Sequence, residues 1–287
     1  MIKLHHTLIL TLLVMTPGLA SASTDHGKPA ANHAVKTSQA VVNGPVPISE
    51  SEQLKAIVGN LLQDNEAFAD SRNEAYFRPL IAGQTPRATV VTCSDSRVHT
   101  HALDSTPDGD LFMVRNIGNQ LATAEGSVEY GVHHLHTPLL IFVGHSSCGA
   151  IKAASGDYRK ESKTIRRELD TIKIPKGGEN LAGVKLNVNN QVAGAMKKFA
   201  HEVKGGHLTV IGAVYDFSNE FGKGYGRLNI INLNGETDSA RIASSRLLSD
   251  AIEAKPVVSQ KAGAARTTVK PQAAAAGSSD PHPYSYP

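Results

Sequence analysis

Tryptophan is absent from this chain of 287 residues, and aromatic side chains make up only 5% of it. Any core must therefore be mainly aliphatic, and a hydrophobic content of 40% is enough to build one. Net charge is also scarce: 29 lysines and arginines face 26 aspartates and glutamates, leaving +3. That balance is too mild to indicate a nucleic-acid partner. Basic residues gather at 159–176, but Glu161, Glu168 and Asp170 are interspersed, and the stretch reads as solvated surface. The apolar run at 8–15 is too short to span a bilayer. Cysteine occurs only twice, at Cys93 and Cys148.

Each cysteine closes or follows a short apolar run, at 88–92 and 139–143, that reads as a buried strand. The C-terminal ends of parallel strands are where sites collect. If the two strands are near neighbours, Cys93, His145 and Cys148 converge at one sheet edge. Two thiolates and an imidazole are a three-ligand zinc set with one position open, as in catalytic zinc. A disulfide is the competing reading for two cysteines in an exported chain. Asp95, Arg97 and His145 favour the metal, since a structural disulfide does not require them.

Export is expected from residues 1–22, where Lys3, the apolar run and Ala20-Ser21-Ala22 make a signal peptide with a mature start at Ser23. The mature protein is then periplasmic or secreted, with no stable membrane span. Residues 23–47 read as a flexible arm, 48–254 as the catalytic domain, and the Ala/Pro/Ser-rich 255–287 as a disordered tail. Ser49 and Glu52 have capping-box spacing, and Leu54, Ile57, Val58, Leu61 and Leu62 share one helical face. Further helices are expected at 64–81, 124–135, 187–203 and 236–254, and strands at 88–92, 111–115, 139–143, 207–216 and 228–233. That alternation predicts an α/β fold, a mainly parallel central sheet flanked by helices.

Cys93-Ser94-Asp95-Ser96-Arg97 followed by His145-Ser146-Ser147-Cys148 strongly resembles the beta-class carbonic anhydrases. Phe112-Met113-Val114-Arg115-Asn116-Ile117 and Val128-Glu129-Tyr130 add to the likeness, which covers about 49–254. The resemblance implies the beta-carbonic-anhydrase fold and zinc held by Cys93, His145 and Cys148. It implies reversible hydration of carbon dioxide to bicarbonate and a proton, by water activated at the metal. It also implies a homodimer, or an oligomer of dimers, with active sites at the subunit interface. Asp95 is then the acceptor beside the metal and Arg97 its holder, and in some members the equivalent aspartate binds the zinc as a fourth ligand. Likeness to the plant-type pocket implies that Gln84 hydrogen-bonds substrate across the interface while Phe112, Ile117 and Tyr130 line the carbon dioxide cavity.

Some relatives bind regulatory bicarbonate beside a tryptophan just before the first cysteine. Val90 stands there instead, so Arg115 and Tyr215 are expected to serve packing and hydrogen bonding. His99, His101, His133, His134 and His136 are expected to face solvent or find local partners rather than form a second metal site. Hydrolysis of carbonyl sulfide or carbon disulfide at the same site is a second enzymatic reading. A non-catalytic zinc-binding or disulfide-bonded protein is the third, and Gln84, Asp95 and Arg97 argue against it.

Overall fold

The computed structural model describes residues 49–253. The expected leader, arm and tail lie outside the described residues, and the expected catalytic domain lies within them but for its two end positions. The chain divides into two compact units, one ending at Asn60 and the other beginning at Leu61.

In the first unit the described residues open helix α1 (Glu50–Asp70). Its start is the expected capping box: the Glu52 amide donates to Ser49 Oγ at 3.3 Å, and the Ser49 amide donates to Glu52 Oε2 at 2.9 Å. Leu54, Ile57 and Val58 do share a face, but each is more than half exposed.

In the second unit α1 runs on to Asp70, so no helix begins near residue 64. The break falls at 71–73, where the Arg72 side chain and Ser71 Oγ both donate to the Phe68 carbonyl and close the last turn. Asn73 then caps α2 (Glu74–Ile81), its side chain accepting from the Tyr76 amide at 3.3 Å.

Five strands form the sheet: β1 (Ala88–Cys93), β2 (Leu111–Asn116), β3 (Leu139–His145), β4 (Thr209–Asp216) and β5 (Arg227–Leu233), in the order β2-β1-β3-β4-β5. The first four are parallel and β5 is an antiparallel edge. Every residue of β1 is buried, which is why its sequence carries no charge and does not alternate between apolar and exposed polar residues. Register places Cys93 opposite Asn116 and His145 opposite Tyr215, so both potential ligands stand at the C-terminal edge.

The helix expected at 124–135 is α3 (Glu125–Glu129) followed by a π-helical turn, Tyr130–His134. The reason is close packing: a Cβ at Gly131 would come within 2.1 Å of Thr89 Oγ1, and the wider turn seats the glycine backbone against β1. Past β3 come α4 (Gly149–Ser155), α5 (Lys163–Leu169), α6 (Leu181–Lys198) and α7 (Ala200–Lys204). The expected helix at 187–203 therefore starts earlier, where Asn180 caps α6, and is interrupted at Phe199. α8 (Ser239–Ala243) and α9 (Arg246–Glu253) replace one expected helix at 236–254, with Ser244 and Ser245 between them.

α6 covers β3 and β4 with Val184, Val188 and Val192, all buried. Gly144 and Gly212 make that approach possible, since a Cβ on either would meet Val188 at 2.7 and 2.8 Å. The main core lies under α6 around Leu140, Phe142 and Phe199, and a second core gathers Cys93, Cys148, Ile151, Val188 and Val214. Truncating Phe142 or Phe199 to alanine should cost about 3–5 kcal/mol. No helix among the described residues is long and apolar enough to cross a membrane.

Candidate metal centre

Cys93 ends β1, His145 ends β3, and the two strands are hydrogen-bonded neighbours. After β3 the chain turns sharply, with Ser147 at φ 53°, and delivers Cys148 to the N-cap of α4. The ligand atoms of Cys93, His145 and Cys148 all lie within 4.8 Å of one another, and all three residues are buried. The cysteines are unbridged thiols. Among the described residues this is the single group of three or more metal-ligating side chains that comes so close together.

The histidine is prepared for a cation. Its Nδ1 lies 2.9 Å from the Ser146 carbonyl, which can only accept, so Nδ1 carries the proton. Nε2 is then a lone pair, fully buried and, among the described residues, without a hydrogen-bond partner. An orphaned acceptor facing two sulfurs is what a metal would satisfy.

The thiols point the same way. The Cys148 thiol hydrogen-bonds to the Cys93 sulfur and pulls the Cys93 pKa well below the usual thiol value. Cys148 is pushed up for the same reason, its proton being held by Cys93, and burial adds to the rise. A dication between the two sulfurs would hold both as thiolates. The Gly118 amide, at φ 81°, lies 3.5 Å from Cys93 Sγ and adds a donor to that thiolate. Two thiolates and one neutral imidazole fit zinc with a fourth position open.

Beside this cluster stands the Asp95–Arg97 pair. Arg97 donates from Nε to Asp95 Oδ1 at 2.9 Å and from Nη2 to Oδ2 at 2.7 Å. The guanidinium holds the Asp95 carboxyl well below the usual carboxylate range. Asp95 Oδ2 lies 3.8 Å from His145 Nε2, so the carboxylate borders the place a metal would take. Arg97 also reaches the Ser147 carbonyl at 3.2 Å, tying the two motifs together. Arg115 underpins the loop by donating to the carbonyls of Cys93, Asp95 and Val98 at 2.9, 2.9 and 2.6 Å.

The expected pocket residues separate. Ile117 packs with the core that contains Cys93 and Cys148. Phe112 lies opposite Thr89, four residues short of the Cys93 level, which is about 13 Å along the strand. It packs against Tyr130 at 5.8 Å between centroids, and Tyr130 is itself 43% exposed. Gln84 is exposed in the loop before β1. Within one chain, therefore, only Ile117 of the four joins the metal cluster.

Of the extra histidines, His133 pairs with Glu202 at 3.0 Å and His134 stacks on Tyr130 at 4.4 Å, local partners as expected. Val90 is buried in β1, and Tyr215 packs edge-on against Phe217. Gly144 allows a close approach, whereas Gly149 has open space around its Cα and serves no such need. Three contributors escaped the sequence reading. Ser146 Oγ accepts from the Phe217 amide at 3.1 Å, Phe217 stacks on His145 at 5.7 Å, and Gly118 faces Cys93. Gly118 follows Ile117 directly, but nothing in a lone sequence says its amide faces a sulfur.

Comparison with known proteins agrees with this geometry. The carbonic anhydrase family profile matches residues 88–223. The chain is 31% identical over 157 residues to carbonic anhydrase 2 of Mycobacterium tuberculosis, covering 49% of this chain and 74% of that protein. It is 45% identical over 75 residues to a carbonic anhydrase of Mycolicibacterium smegmatis, covering 26% and 36%. Among solved structures, a tetrameric beta-carbonic anhydrase of Sordaria macrospora superposes with a TM-score of 0.52 at 25% identity, covering 62% of this chain and 98% of that one. The Coccomyxa beta-carbonic anhydrase shares the fold at a TM-score of 0.52 and 23% identity, over 68% and 96% of the two chains.

Proposed function

The chain belongs to the carbonic anhydrase family, and from that premise we propose that Cys93, His145 and Cys148 hold its zinc and that Asp95 and Arg97 serve the reaction beside it. The enzyme interconverts carbon dioxide and bicarbonate. The observation that carries the site assignment is the buried, unpartnered His145 Nε2 facing the two sulfurs. Zinc in this place supplies Lewis-acid activation of the water that attacks carbon dioxide.

The chain's own residues do the rest. Two thiolates offset the charge of the metal, so the site needs a good acceptor to orient the attacking water. Asp95 is that acceptor. Arg97 keeps it ionised through a two-pronged contact and fixes the direction of its lone pairs. Ile117 gives the apolar wall that favours carbon dioxide over water.

Gln84, Phe112 and Tyr130 complete a plant-type pocket in a second copy, which makes the working unit a homodimer or an oligomer of dimers. Their separation from the metal of their own chain supports this, as does the exposure of Tyr130 and Gln84. α1 also leaves Leu54, Ile57, Val58, Leu61 and Leu62 between 55% and 67% exposed, apolar surface that a partner would cover. We propose further that the enzyme works in the periplasm or outside the cell. Lys3, the apolar run at 8–15 and Ala20-Ser21-Ala22 support this, and N-terminal sequencing of exported protein should begin at Ser23.

Stopped-flow carbon dioxide hydration on metal-analysed protein tests the function. About one zinc per chain with rapid hydration is expected. Zinc-loaded protein without activity would refute it. Tyr130→Ala should weaken turnover while zinc content stays native, and a monomer with full activity would overturn the shared pocket.

A further inference from the structure

The loop after β4 returns to the metal centre, and Phe217 within it touches two groups there. Its ring lies 5.7 Å from the His145 imidazole with an interplanar angle of 29°, a stacked arrangement. The Arg97 guanidinium sits over the same ring, 4.7 Å from its centroid. Tyr215 closes on it edge-first at 5.9 Å.

The ring is held in place by the backbone that carries it. Asp216 is fully buried, and its carboxylate accepts from the amides of Ser218 at 3.2 Å and Phe221 at 2.9 Å. The Gly226 amide closes the loop onto the Asp216 carbonyl at 2.7 Å. Ser146, the neighbour of His145, fastens it from the other side by accepting from the Phe217 amide at 3.1 Å and the Ser218 amide at 3.3 Å. A half-buried phenyl ring is thus fixed against the turn that presents the histidine.

That placement bears on Asp95. Its carboxylate has two partners within reach: the Arg97 fork, at 2.7 and 2.9 Å, and the metal position, which His145 Nε2 marks at 3.8 Å. Arg97 is half exposed and sits on a long flexible stem; its fork forms by itself, and a contact on its open face limits how readily the guanidinium can swing away and release Asp95 toward the metal. The face of a phenyl ring attracts a guanidinium and does so at this distance.

We propose that Phe217 is a positioning residue for this site. Its ring braces the Arg97 guanidinium beside His145, keeps Asp95 on Arg97 rather than on the metal, and so leaves the fourth coordination position open to water and substrate. The proposal rests on the zinc and Asp95–Arg97 reading above.

Cobalt(II)-substituted full-length protein, titrated with azide as a probe of the open position, tests it. Native protein should show thiolate-to-cobalt charge transfer and bind azide. Phe217→Val should bind azide about tenfold more weakly, with its azide-free visible bands shifted by an added carboxylate ligand. Phe217→Tyr, which keeps the ring, should restore native affinity. In the Asp95→Asn background, Phe217→Val should cost no azide affinity, because the competing carboxylate is gone. Should Phe217→Val fail to take up cobalt, Phe217→Leu is read instead, with the same expectation. Unchanged azide affinity in the single variant, whatever happens to its melting temperature, overturns the proposal. A native protein without the charge-transfer band would refute the metal assignment instead, so the two failures are distinguishable.

Discussion

In Asp95-Ser96-Arg97 the guanidinium donates to its carboxylate at 2.9 and 2.7 Å, and in Asp157-Tyr158-Arg159 it does so at 2.8 and 2.7 Å. Each arginine amide also donates to its aspartate, at 3.0 and 3.1 Å. In both turns the arginine holds its aspartate below the usual carboxylate range. Locally the two are the same object. What differs is the surroundings: the Asp157 and Arg159 side chains are 56% and 86% exposed, against 17% and 51% for Asp95 and Arg97. Beside the first pair stand His145 Nε2, the Ser147 carbonyl and the Phe217 ring. An Asp-x-Arg turn therefore builds its own geometry, and chemistry comes from the strand end on which it is set.

The comparison breaks most completely at the metal. Cys148→Ser should lose zinc and activity together, because a two-ligand remnant cannot retain the ion. Zinc content and turnover measured on one sample check this, and full zinc in the variant would remove Cys148 from the ligand set. The next effect is on the two arginines. Arg97→Ala should lower turnover about tenfold with zinc retained, and Arg97→Lys should rescue little, since an ammonium cannot make the two-pronged contact. Arg159→Ala should turn over carbon dioxide at the native rate.

The smallest effect is on stability against pH. Asp95 is held below the ordinary carboxylate value of about 3.9 in the folded chain. Its pairing therefore stabilises the fold above about pH 4, and that contribution is lost as pH falls below it. Asp95→Asn should destabilise zinc-free protein by roughly 0.5 kcal/mol at pH 7, a figure reduced for the exposure of Arg97. Denaturant unfolding at pH 7 and pH 3 should show that gap closing. A gap that widens toward pH 3 would contradict the pairing.

Much of this site was legible in the sequence because it depends on strand ends. An apolar run leading into Cys93 and another leading toward His145 announce two buried strands, and neighbouring parallel strands bring their ends together. The α/β class and all five strands followed from the same runs, each within two residues of its observed limits. Helix limits were less legible. Periodicity did not show the π-turn after Glu129, which exists because Gly131 presses on Thr89 across 42 residues of chain. Nor did it show that Ser71 and Arg72 end α1 by capping the Phe68 carbonyl rather than by interrupting its pattern. Phe217 was illegible for a similar reason. Its contacts are to side chains 72 and 120 positions away, and nothing in its own neighbourhood marks them.

The most direct test of the claim that placement, not local geometry, makes the Asp95 turn functional is carbon dioxide hydration by stopped flow on Asp95→Asn and Asp157→Asn at equal zinc content. Asp95→Asn should lose about a hundredfold in turnover, the scale of a positioned acid–base group, while Asp157→Asn keeps the native rate. Native turnover in both variants, or an equal loss in both, would contradict it.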